Sequence, residues 1–426
     1  MLGKTFVLLA LLATPAVASA QISVPTPTES ESNFLRDRNT SVTERALSDY
    51  TPPGIRAGVF RVSPTLNLAS EWNDNIFYTE QNKDSDRSWK VNPGLSVQSD
   101  WSRHSIGVNA SGVFTRYDDF KSENTDTYTV GANGQLDISR QTNATLAAST
   151  SKRAEGRGSA NAISTAASPP EYTVDSVTAG LNHEFNRLKV AGRYDWRKYD
   201  YKDVELIGGG VADQTARDYK QQIVTGRADY ALSPATAVFG SIALTSKDYK
   251  TITNGQPPRS SDGSTVLVGA NFDITNLIRG EFAIGYATQN FDNSTYKDLN
   301  AVAVRGLVEW FPSQLMTVTF TANRTLEDAA AVGVGGYDTA DFGLRADYEL
   351  RRNWLVNAHG DLGKDNFQGG ARTDRRSGAG FGATYLMNRR VGLALDYDYA
   401  KRDSRGSGAA SSYTANRLTA GLVLKF

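Results

Sequence analysis

Arg417-Leu-Thr-Ala-Gly-Leu-Val-Leu-Lys-Phe426 ends the chain. Leu418, Ala420, Leu422, Leu424 and Phe426 alternate with Thr419, Gly421, Val423 and Lys425, which is the period of a strand whose two faces meet different surroundings. A closing strand of a soluble sandwich would read the same way in isolation. The choice therefore rests on the rest of the chain.

At the other end, Lys4 precedes an apolar run from Thr5 to Leu12 and the small residues Ala18-Ser-Ala20. That is the layout of a secretory signal peptide, and the run is too short to span a bilayer as a helix. Cleavage after Ala20 is expected. Residues 21–54 are polar and carry Pro25, Pro27, Pro52 and Pro53. They read as a flexible periplasmic extension with one short helix around Ser41 to Leu47.

From 55 to 426 one pattern repeats: an alternating run, a tight turn, another alternating run, a longer polar loop. Tight turns fall at 102–104, 140–142, 186–187, 233–235, 275–276, 312–314, 351–353 and 388–390. Longer loops fall near 79–87, 118–124, 153–171, 203–216, 250–261, 292–298, 328–336, 368–374 and 404–411. Eight short and nine long connections join about eighteen strands. Short turns at one end and long loops at the other are the organisation of an outer-membrane barrel. The expected fold is all-β, a closed antiparallel transmembrane barrel in the cell outer membrane, in contact with lipid and lipopolysaccharide. A propeller would show blade repeats of about 40–50 residues, and none is found.

Composition agrees. The mean hydropathy of −0.42 is that of a soluble protein, but in a barrel only every second residue meets lipid. Tyr 19, Phe 17 and Trp 6 supply aromatic girdles near strand ends. There is no cysteine, so strand closure must do what disulfides do in other exported proteins. Lys+Arg 46 against Asp+Glu 46 gives no field for a nucleic-acid partner.

The alternation also sorts the faces. Lys189, Arg193, Asp195 and Arg197 lie opposite Leu188, Val190, Tyr194 and Trp196, and Arg227 and Asp229 lie opposite Val224, Tyr230 and Leu232. Arg305 and Glu309 oppose Val302, Val304, Val308 and Trp310; Arg345 and Asp347 oppose Phe342, Leu344 and Tyr348. Asp396 and Asp398 fall between Leu393, Leu395, Tyr397 and Tyr399. Arg or Lys at mid-bilayer on the lipid face costs about 2–4 kcal/mol, so these charges are expected to line an aqueous lumen. Such a wall could orient hydroxyl-rich or charged solutes, or simply brace itself with ion pairs.

No catalytic set, metal or cofactor is expected. Gly378-Ala-Gly380-Phe-Gly-Ala383 has dinucleotide-site spacing but lies within an alternating strand. Asp84-Ser-Asp86 begins like a calcium loop but lacks the later Gly and Glu. His359 and Asp361 share an inward face without a nucleophile.

Gly54-Ile-Arg-Ala-Gly-Val-Phe-Arg-Val-Ser-Pro64 followed by Glu71-Trp-Asn-Asp74-Asn-Ile-Phe77 resembles the opening of the second β-barrel porin group. The likeness extends by layout and terminal Phe426 over 54–426. The resemblance implies an outer-membrane outlet for exopolysaccharide or capsule, working beside a periplasmic polysaccharide-export protein. The alternative is a general or substrate-selective diffusion porin for small solutes. A porin would be narrowed by an inward-folded loop, and loop 153–171, with Gly156, Gly158 and an Ala-rich run, is the candidate.

Overall fold

The computed structural model describes residues 40–45, 47, 49–249, 257–275, 277–331, 333–369 and 372–426. The expected signal peptide at 1–20, most of the expected 21–54 extension, position 276 of one tight turn and most of loop 250–261 lie outside the described residues.

Eighteen strands of 13 to 16 residues form one antiparallel barrel. They are β1 (Phe60–Asn73), β2 (Asp86–Ser99), β3 (Ser105–Tyr117), β4 (Thr125–Asp137), β5 (Thr142–Ala154) and β6 (Glu171–Phe185). Next come β7 (Leu188–Tyr201), β8 (Tyr219–Ser233), β9 (Thr236–Tyr249), β10 (Ser261–Ile274), β11 (Ile278–Phe291) and β12 (Leu299–Ser313). The last are β13 (Met316–Asp328), β14 (Gly336–Arg351), β15 (Trp354–Phe367), β16 (Thr373–Leu386), β17 (Val391–Arg405) and β18 (Tyr413–Lys425). Each pairs with its sequence neighbour, and β1 pairs with β18 from Thr65↔Lys425 to Asn73↔Arg417, so the sheet closes on itself. Closure satisfies the backbone without water, the condition for strands in hydrocarbon.

The opening motif holds this seam. Pro64 lies one residue before pairing with β18 begins, and its carbonyl accepts from the Phe426 amide at 3.1 Å. At the other rim, Asp74 accepts from the Asn416 backbone and side-chain amides at 2.7 and 2.6 Å. Asn75, fully buried, donates to Thr79 O and Thr414 O at 2.7 and 2.9 Å. Asp74 and Asn75 thus tie the first strand to the last.

The apolar face points outward: Phe342, Leu344 and Leu350 are 60%, 48% and 55% exposed, while Asp347 on the alternate face of the same strand is 7%. The short helix expected at 41–47 is a single turn. Glu44 and Arg45 amides donate to Ser41 O, and a reciprocal Ser41/Glu44 capping box closes it, at 3.1 and 3.3 Å. One turn makes too few bonds to propagate a helix, so tertiary contacts must hold it.

Candidate functional site

Arg193, Asp195 and Arg197 lie on the inner face of β7, with Lys189 below them opposite Asp229 of β8. Arg193 donates to Asp195 at 2.8 Å, Arg197 approaches the same carboxylate at 3.6 Å, and Thr178 of β6 adds a 2.8 Å hydrogen bond to it. On β8, Arg227 is bidentate to Asp229 and again bidentate to Glu281 of β11. Glu281 escaped the sequence reading, although Arg279-Gly-Glu281 alternates with Phe282 and Ile284 and the same rule finds it.

The remaining residues are spread around the wall. Arg305 of β12 faces Ala283, Glu309 pairs with Arg279, and Arg345 pairs with Asp347 at 2.9 Å. Asp398 meets His359 at 3.4 Å and Arg417 at 4.0 Å, and Asp396 lies opposite Gly382. The glycine-rich stretch lies within β16, where it makes room for neighbouring side chains. A Cβ at Gly378 would sit 2.4 Å from Asp361 Oδ1, and one at Gly382 2.3 Å from Asp396 Oδ1. His359 accordingly reaches across β16 to Asp398, while Asp361 folds over Gly378. Asp86 caps backbone amides of Asp119 and Phe120 at its loop, at 3.1 and 3.0 Å.

Above this wall the β5–β6 connection folds inward and crosses the mouth. In an eighteen-stranded barrel the strands opposite β5 and β6 are β14 and β15, and the connection reaches that side. Asn161 donates to Asp328 O at 3.1 Å and accepts from the Ala330 amide at 2.9 Å. Arg372 donates to Ala160 O at 3.1 Å, and Arg402 to Gly158 O and Ser159 O at 3.2 and 2.9 Å. On the near side Glu155 forms a buried bidentate pair with Arg217, and Arg157 does so with Glu123. Burial opposes the Arg217 charge, but Glu155 outweighs it and holds the guanidinium above its ordinary pKa.

A row of stacked tyrosines supports the near side. Tyr172–Tyr201, Tyr199–Tyr219 and Tyr219–Tyr249 stack at 4.7, 4.3 and 4.6 Å across β6 to β9, and Arg217 lies over Tyr201 at 4.2 Å. The connection is a lid fixed at both ends. Its anchors have no sequence period, because each is a single contact between segments far apart in the chain.

The opposite mouth is also occupied. The capped turn at Ser41–Arg45 sits against inward residues of the short-turn end: Val42 N–H donates to Thr317 Oγ1 at 3.0 Å, Arg45 pairs with Glu349 at 2.5 Å, and Glu44 pairs with Arg279 at 2.5 Å. Arg45 also donates to Gln314 O. Residues expected to be a free leader are docked here, because the ion pairs repay the ordering of one turn. Between the two ends lies a cavity of about 320 Å³, lined from β7 to β14 by Arg193, Arg197, Ile223, Leu267, Arg305 and Asp341 among others.

Residues 48–426 match the family model described as "Putative beta-barrel porin 2". No curated protein matches the sequence. Among solved structures, OpdO of Pseudomonas aeruginosa is similar at 16% identity and a TM-score of 0.47, over 86% of this chain and 97% of that one. A BenF-like porin from Pseudomonas fluorescens Pf-5 is similar at 13% identity and 0.46, over 86% and 99%. The copper transporter OprC is similar at 10% identity and 0.47, over 87% and 81%. Nothing about a solute for this chain follows from these likenesses.

Proposed function

Since the chain belongs to the beta-barrel porin 2 family and is an outer-membrane channel, we propose that it is a selective diffusion porin for small solutes, not the outlet of a polysaccharide secretion system. The observation that carries this reading is the lid. A polymer leaving the cell needs an unobstructed lumen along its whole path, whereas a porin gains selectivity by narrowing. The lid crosses to the strands opposite its own and is held there by Asn161, Arg372 and Arg402.

The cavity beneath, about 320 Å³, is at the lower end of small-molecule sites. Its wall mixes both charge signs in direct pairs, so a solute is selected by local contacts rather than by the overall charge of the wall. The docked turn at 41–45 supports the same reading, since a polymer entering from a periplasmic partner would have to displace it.

Deleting the gene tests the two functions against each other. Slowed uptake of a small solute with normal surface polysaccharide is expected. Loss of surface polysaccharide with unchanged uptake would overturn the porin reading in favour of export.

A further inference from the structure

We propose that the Arg193–Arg197 pair and the apolar strip beside it form a binding station for a small monocarboxylate with an apolar body. The inference rests on the porin reading and names the solute class for that channel.

The ion-pair inventory of the wall is uneven at this point. Lys247 has Asp328 at 2.8 Å, and Arg227 has two carboxylates of its own. Arg193 and Arg197 share one, Asp195, which Arg197 meets only at 3.6 Å. Arg193 Nε and Arg197 Nη1 have no hydrogen-bond partner, and neither does Gln221 Oε1, which faces Arg197 across the strand pair. A buried donor left unmade costs about 1–3 kcal/mol, more when charged, so two in one pair call for a further acceptor. Planar guanidinium forks fit a carboxylate, and one shared Asp leaves a surplus of one positive charge, which matches a monoanion.

The opposite surplus, Arg227 with Asp229 and Glu281, lies next to it. There both carboxylates are sealed, with side-chain exposures of 1% and 4%, and filled by Arg227. Arg193, at 27%, is the charge a solute touches.

The second observation is independent of charge. Register places Ile223 beside Asp195, and across the following strands Ala243 beside Thr265 and Leu267 beside Ser241, all on the inner face and lining the same cavity. With Ala287 and Ala303, also on this lining, they make an apolar strip beside the charged and hydroxyl side chains of the wall. Water gains nothing from such a strip, whereas the hydrocarbon part of a solute does, at about 25 cal/mol per Å² buried. The cavity volume of about 320 Å³ holds one such molecule.

The test uses the full chain in planar bilayers, with benzoate as probe and acetate, benzamide and inorganic phosphate as controls. Benzoate should block the current at concentrations at least tenfold below each control. Arg193→Gln with Arg197→Gln should weaken the benzoate block at least tenfold relative to that variant's own open-channel current. Should the buried Arg197 be needed for folding, Arg193→Gln alone should give at least a threefold loss, and Leu267→Asn should lose benzoate block while leaving acetate unchanged. Equal block by benzamide points to an apolar site without a charge requirement and overturns the proposal, as does equal block by acetate or phosphate, or indifference to the arginine variants. Absence of any conductance by the folded protein would instead refute the porin reading.

Discussion

Asn161→Ala combined with Arg402→Ala is expected to loosen the far end of the lid, leaving Arg372 to Ala160 O as its remaining anchor. The pair removes Asn161 to Asp328 O, Ala330 N–H to Asn161, and Arg402 to Gly158 O and Ser159 O, at 3.1, 2.9, 3.2 and 2.9 Å. Two neutral hydrogen bonds are worth about 1 kcal/mol each and two from a charged donor about 1.5–3 kcal/mol each, so the gross loss is about 5–8 kcal/mol. Groups released at the mouth rehydrate, and bonds sharing a donor do not add, which brings the net shift to about 3 kcal/mol. At 1.4 kcal/mol per decade this is roughly a 150-fold change in the ratio of closed to open lid. The barrel ladder is untouched, so circular dichroism and heat-modifiability on gels should match the parent. Single-channel recording should then show higher conductance and new transitions between levels. A folded double variant with the parent's conductance and solute cutoff would refute the account of what holds the lid.

Three further outcomes follow from individual contacts. Burial pushes the Glu44 carboxyl up, but the hydrogen bond and charge of Arg279, with Ser41, outweigh it and hold the group below its ordinary range. A depressed folded pKa stabilises docking above the ordinary carboxylate pKa and loses that contribution as pH falls through the depressed value. Hydrogen-exchange protection of the Val42 amide should therefore drop in acid, and Glu44→Gln should reduce it at neutral pH and abolish the acid step. Arg227→Ala leaves buried Asp229 and Glu281 without their guanidinium, and unfolding in urea should register a loss of about 3–5 kcal/mol; a change under 1 kcal/mol would contradict the pairing. Asn75→Ala removes donors to Thr79 O and Thr414 O and should destabilise the β1–β18 seam by about 2 kcal/mol, read as a lower unfolding temperature in detergent.

Period-two alternation made most of the barrel legible. Lipid penalises every charge on its own face, so Val190 against Arg193, or Leu344 against Arg345, reports orientation directly. Alternation of short and long connections likewise yields eighteen strands, because turns and loops are confined to opposite ends. What fills the lumen was not legible to the same degree. Loop 153–171 could be singled out by length and glycine content, but its landing points on Asp328, Arg372 and Arg402 are joined only by the closed ring. The docking of 41–45 was hidden for the same reason: Ser41-Val-Thr-Glu44 reads as a helix start, and nothing local shows that Thr317, Glu349 and Arg279 are waiting for it. The opening motif was legible as a family resemblance, and its hydrogen bonds to Asn416 and Thr414 give it the further task of closing the barrel.

The size cutoff of the reconstituted channel tests the central claim most directly. Swelling of proteoliposomes in a graded series, from a pentose through di- and tetrasaccharides to dextran, reads it in one assay. The lidded lumen predicts rates that fall steeply beyond the smallest solutes and vanish for dextran. Replacing residues 156–165 by a short Gly-Ser bridge should extend entry to larger sugars. Entry of long oligosaccharides into vesicles carrying the unaltered protein, at rates that do not fall with size, would contradict it.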